Sequence, residues 1–174
     1  MKILGYLLVI VGLSSVLTVL SGCRNGIPSD IPPLQPVELT FTQNGDPLPD
    51  AIVTLYSEEL DFKWSIGGGT DANGHVLLMT NGRYAGVPKG TYKITVDRVI
   101  RKGPPIPEES ELPKEEEQRQ KVFAEIDKQT QYIRIVENQF LDSKKTPLEI
   151  EIVQGKNSKI FDLGKPVRTV LPNN

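Results

Sequence analysis

The stretch Val37-Glu38-Leu39-Thr40-Phe41-Thr42 alternates apolar and polar residues without a break. Successive side chains of a strand point to opposite faces, so a period of two sets Val37, Leu39 and Phe41 against Glu38, Thr40 and Thr42. The same pattern returns in Tyr92, Ile94 and Val96 against Lys93, Thr95 and Asp97, and in Leu148, Ile150 and Ile152 against Glu149 and Glu151. Such segments have to bury one face of a sheet and leave the other in water. Residues 51–57 (AIVTLYS) and 75–80 (HVLLMT) are apolar on both faces and predict interior strands. Residues 159–164 (KIFDLG) predict a final strand carrying Phe161 and Leu163 inward, and 132–136 (YIRIV) another.

Turn chemistry separates these runs. Asn44-Gly45 and Asn73-Gly74 are hairpin signals, because both residue types tolerate positive φ. Pro88 and Gly90 precede one strand, and residues 154–157 (QGKN) join the last two. About seven short strands separated this way predict a mainly β chain, an antiparallel β-sandwich. One helix interrupts it, over about 113–128, within a proline-rich and then highly charged insertion at 98–131. Pro113 suits a first helical turn and Glu115–Glu117 complement the dipole. Glu115/Arg119 and Glu117/Lys121 are i,i+4 pairs, and Val122, Phe123 and Ile126 form a narrow stripe expected to rest on the sandwich. The acidic face argues against a membrane-surface helix.

Cys23 is the only cysteine and follows the one long apolar run. A lone cysteine makes no internal disulfide, which leaves a free thiol, an intermolecular bridge or a modification site. Lys2, the apolar stretch Ile3–Leu13 and the small residues after it have the layout of a secretory signal peptide. Leu20-Ser21-Gly22-Cys23 resembles the lipobox of bacterial lipoproteins. That resemblance implies a signal peptide over 1–22, a diacylglycerol on the Cys23 sulfur and an acylated new N-terminus, with palmitate-type chains holding the protein to the membrane. An uncleaved anchor with an incidental cysteine is the competing reading. Arg24, in place of an aspartate, points to the outer rather than the inner membrane. Residues 23–36, with prolines at 28, 32, 33 and 36, read as an extended tether, with 24–36 reaching about 40 Å. The β-sandwich is then expected over 37–164, with a C-terminal tail at 165–174.

The order of motifs resembles the carboxypeptidase regulatory-like (transthyretin-like, prealbumin-like) β-sandwich. It is carried by Asn44-Gly45-Asp46-Pro47-Leu48-Pro49-Asp50-Ala51 with Val53, Leu55 and Tyr56, by Thr70-Asp71-Ala72-Asn73-Gly74-His75-Val76, and by Gly90-Thr91-Tyr92-Lys93-Ile94-Thr95-Val96. Asp50 departs from it, standing where glycine is common. These are folding motifs, so the resemblance implies a fold and no active site.

The chemistry carried by residue types is sparse. His75 is the only histidine, which excludes zinc sites of the two- or three-histidine kind and leaves histidine catalysis only at that position. Hydroxyisourate hydrolases and intradiol dioxygenases, which share or resemble the fold, need more histidines than this chain has. Residues 71–74 (DANG) lack the further oxygen ligands of a calcium loop, and 66–70 (IGGGT) lack the Lys-Ser/Thr of a phosphate loop. The glycine run is expected to be a bulge or flexible loop. A formal net charge of −2 gives no reason to expect nucleic acid. Exposed aromatics remain: Phe62 and Trp64 in one loop and Tyr84 in another are the candidate ligand contacts, with Trp64 alternatively capping the core. The expectation is a non-catalytic envelope module without a cofactor, binding a partner such as an envelope glycan or another envelope protein, or serving a structural role at the envelope. A carbohydrate-active enzyme using loop carboxylates is the rival.

Overall fold

The computed structural model describes residues 27–57 and 63–172. The expected signal peptide, Cys23, Arg24 and Phe62 lie outside them. β1 (Leu34–Gln35) leads into β2 (Val37–Gln43), which turns at Asn44-Gly45 into β3 (Asp46–Pro47). β4 (Ile52–Tyr56), β5 (Ile66–Gly69), β6 (His75–Leu77), β7 (Met79–Thr80), β8 (Tyr84–Ala85) and β9 (Val87–Pro88) follow. Next come β10 (Gly90–Asp97), β11 (Val99–Lys102), the helix α1 (Glu116–Lys128) and β12 (Gln131–Arg134). The last strands are β13 (Glu149–Ile152), β14 (Asn157–Asp162) and β15 (Thr169–Leu171).

The fold is mainly β, with antiparallel sheets and a single α-helix among the described residues. One sheet has the order β13-β10-β4-β5-β7-β8. A second has β14-β2-β3, with β6 also paired to β2. The inward residues of both, among them Leu39, Phe41, Val53, Tyr92, Ile94 and Ile152, form one buried cluster. Alternation is therefore a sound guide in β2, β10 and β13. One pair departs from the antiparallel expectation: β14 runs parallel to β2, from Asn157 opposite Val37 to Asp162 opposite Thr42. That register stacks the Phe161 ring on Phe41 at 5.5 Å between centroids.

Five expectations need correction. Residues 75–80 are not one interior strand. β6 pairs with β2 and β7 with β5, so the chain changes sheets at buried Leu78 and leaves Leu77 68% exposed. Such switches close the corner between packed sheets. Residues 66–69 are a paired strand rather than a loop. Their glycines allow a close crossing, since a Cβ on Gly67 would lie 2.6 Å from the Val53 carbonyl oxygen. The tether loses its last residues to the domain, because Ile31 is buried and β1 pairs with β9. The expected tail supplies β15, which joins β11 and β12 in a third sheet of order β11-β12-β15.

The fifth concerns the helix. It starts at Glu116 because Glu115, its N-cap, has extended φ and ψ of −77° and 126°. The expected Glu115–Arg119 ion pair is not the one formed: the Arg119 guanidinium grips Glu109 at 2.8 and 3.1 Å. The Glu117–Lys121 pair forms as expected, at 2.7 Å. No helix residue is buried; Val122 and Ile126 are half-buried and Phe123 is exposed. The stripe thus gains little from the core, and no helix among the described residues is long and apolar enough to cross a membrane.

Gly74 and Gly45 both have positive φ, +76° and +86°, but differ in surroundings. A Cβ on Gly74 would overlap the Phe41 carbonyl oxygen, whereas at Gly45 nothing lies within 4 Å. G45A is expected to cost about 1–2 kcal/mol from backbone strain alone. G74A adds an overlap with rigid backbone, so its loss should be larger by about 1–3 kcal/mol. Urea denaturation of both variants checks the ranking.

Candidate functional site

Two concave surfaces stand out. The first surrounds Trp64, which lies just before β5 and is half-buried. It lines a cavity of about 220 Å³ with Tyr56 and Ser57 at the end of β4 and Tyr92 of β10. The Lys63 ammonium sits 4.9 Å from the Trp64 ring centroid, a cation–π distance. Tyr92 is fully buried and its hydroxyl donates to the Pro88 carbonyl at 2.8 Å. The buried Ser57 hydroxyl has no hydrogen-bond partner among the described residues. Tyr84, on β8, lies under the Arg83 guanidinium at 5.5 Å and does not line this cavity. Trp64 is therefore grouped with Tyr56 and Tyr92, and not with Tyr84.

The second surface is a groove of about 540 Å³. One wall is the turn from β2 through β3, with Asp46, Pro47, Leu48 and Pro49. The other is one face of the third sheet, with Ile100, Lys102, Ile133 and Ile135, continued by Val167 and Arg168. Hydrogen bonds tie the walls together. The buried Gln43 amide donates to the Ile135 carbonyl at 2.8 Å, which also accepts Val167 N–H at 3.0 Å. Ile135 N–H in turn donates to the Arg98 carbonyl at 3.1 Å. Arg98 reaches across to Asp50 at 3.0 Å, and Asp50 holds a positive φ of 51°. Positive φ favours glycine, and aspartate is among the few other residues that tolerate it. Behind the groove, Arg134 grips Asp97 at 2.8 and 3.0 Å, which raises the guanidinium pKa.

Sequence reasoning placed no site here. Its residues fall in segments read separately as turn, insertion, strand and tail, and only folding brings them together. The available signal was the alternation of Ile133 and Ile135 in the strand expected over 132–136, just after the charged insertion.

Asp162 fixes the hairpin wall. Its carboxylate accepts Gly164 N–H at 2.6 Å, Gly45 N–H at 2.7 Å and the Thr42 hydroxyl at 2.9 Å. Those bonds, Gly164 first, then Gly45, then Thr42, hold its pKa below the ordinary 3.8. Asp71 is lowered chiefly by the His75 N–H, Asp142 by the Lys144 N–H and Glu149 by the Lys93 ammonium. Each of these displaced carboxyls moves downward, toward the ionised form, whereas a general acid needs the opposite. His75 and Asp71 are both exposed, with Nδ1 and Oδ2 3.9 Å apart, and no group of three or more metal-ligating side chains occurs among the described residues.

No family model, curated protein or solved structure matches this chain.

A lowered folded-state pKa stabilises the fold above the unfolded value and loses that contribution as pH falls through the folded one. D162N should therefore be less stable than the wild type at neutral pH. The gap should hold down to about pH 5 and close as the pH falls through 3.8 and below, where the wild-type carboxylate takes up its proton. Denaturant titrations of both proteins from neutral to acid pH measure that gap.

Proposed function

We infer that this chain is a lipid-anchored module of the bacterial cell envelope, non-catalytic, that presents a binding domain of transthyretin-like β-sandwich type. The observation that carries the location is Leu20-Ser21-Gly22-Cys23 behind its apolar run. Small residues before the cysteine suit a signal peptidase, and the sulfur is the nucleophile that takes the lipid. Three acyl chains at about 0.8 kcal/mol per buried CH₂ give a stable attachment. Ile31 is the first buried one of the described residues, and its N–H closes a turn on the Pro28 carbonyl at 3.0 Å, so the proposed linker is no longer than residues 24–30 and its reach is well short of the about 40 Å of thirteen extended residues. The domain is then held close to the lipid surface, nearer than a longer tether allows.

The sandwich reading is supported by two sheets sharing one core and by the Asn44-Gly45 hairpin. The non-catalytic reading is supported by the downward pKa shifts of Asp71, Asp142, Glu149 and Asp162 and by a single, exposed histidine. Trp64, Tyr84 and Phe62 are the aromatic contacts proposed for an envelope glycan or protein partner, with Arg24 favouring the outer membrane.

Metabolic labelling with an acyl-chain analogue tests the anchor. The wild type should incorporate label and move to a shorter chain, and Cys23→Ala should do neither. Equal labelling of both, or of neither, restores an uncleaved anchor. Turnover of a glycan library, abolished by changing one loop Asp or Glu, would overturn the non-enzyme reading.

A further inference from the structure

The groove between the β2–β3 turn and the third sheet has the composition of a ligand site. Its volume, about 540 Å³, lies within the roughly 300–1,000 Å³ of small-molecule pockets. Its floor is apolar, with Ile100, Ile133, Ile135 and Val167. Lys102 and Arg168 also line it, and neither makes an ion pair among the described residues. Arg98 spends its guanidinium on Asp50 and on the Val99 carbonyl. Asp46 is the one carboxylate in the lining. An apolar ligand would gain nothing from the two free cations. A bare anion would leave the floor wet. One molecule with an anionic head and an apolar body satisfies both.

We propose that this groove binds a small amphiphilic anion, its body on Ile100, Ile133 and Ile135 and its carboxylate or phosphate head drawn to the cations Lys102 and Arg168, which the strand register sets at opposite ends of that face. The occupant is a single dissolved molecule rather than a bilayer face, because the site lies between two walls. The Gln43–Ile135 hydrogen bond holds those walls in place before binding, so little ordering cost remains. This deepens the reading of a binding module and rests on it, but needs no lipid on Cys23.

The test uses the full chain in phosphatidylcholine nanodiscs, with the isoleucine methyl groups labelled for NMR. Octanoate and octyl phosphate should shift the Ile100, Ile133 and Ile135 methyls saturably and leave those of core Ile94 and Ile152 in place. Octanol should bind at least about tenfold more weakly, and K102E/R168E should raise the octanoate Kd by about tenfold or more. Unmoved Ile94 and Ile152 signals in that variant show that its fold is intact; if they move, the single variants K102Q and R168Q replace it, each expected to weaken octanoate binding. No saturable shift, an equal response to octanol, or an unchanged Kd in the charge variants overturns the proposal. So does inorganic phosphate alone producing the same shifts, or phosphatidylglycerol discs doing so without added ligand, which would assign the groove to the lipid surface. None of these results bears on acyl labelling at Cys23, so failure of the groove and failure of the anchor are separate.

Discussion

The parallel pairing of β2 with β14 is the constraint on which the rest of this structure depends. β2 is paired along both edges, by β14 on one side and by β6 and β3 on the other. Its register with β14 places Phe161 against Phe41 and sends Ile160, 72% exposed, outward. A slip of one residue would exchange those two side chains, putting an aromatic ring in water and losing the stacked pair from the core. Parallel strands also cannot be joined by a short turn. Between Gln43 and Asn157 the chain must therefore travel from one edge of β2 to the other, and the six-stranded sheet, the helix and strands β11 and β12 are built on that excursion.

How much of this was legible follows from where the period-two signal was strong. Val37 to Thr42 read correctly because one face meets the core and the other meets water. His75 to Thr80 misled because a strand that changes sheets buries Val76 and Leu78 in the same cluster while Leu77 faces out. Apolar residues on both faces then look like burial on both faces. Ile66 to Gly69 was missed for another reason. A strand without side chains carries no pattern, and its pairing is dictated by the backbones that cross it closely.

Of the third sheet only the strand at 132–136 was legible, and its partners were not, for a reason of scale. Gln131–Arg134 is four residues long and Thr169–Leu171 is three; the first is held between β11 and β15, and the second pairs with β12 alone. Neither announces its partner from thirty or more residues away. The same holds for Gln43, whose position at the end of an alternating strand gives no hint that its buried amide spans to Ile135. Local patterns identify strands, whereas the pairings that make a groove are long-range.

Fold and groove meet at Asp162. It closes β14, the strand whose register sets the core, and its carboxylate holds Gly45 at the tip of the hairpin that forms one groove wall. Gln43, at the other end of the same turn, anchors the opposite wall through Ile135. The hairpin is thus fastened to the core strand on one side and to the third sheet on the other. A turn held at both ends keeps its distance from the facing isoleucines when the groove is empty, and that distance is what a pre-formed site requires. The segments richest in sequence pattern therefore build the frame, and those poorest in pattern, 98–102 and 166–168, supply the cations that give the frame a chemistry.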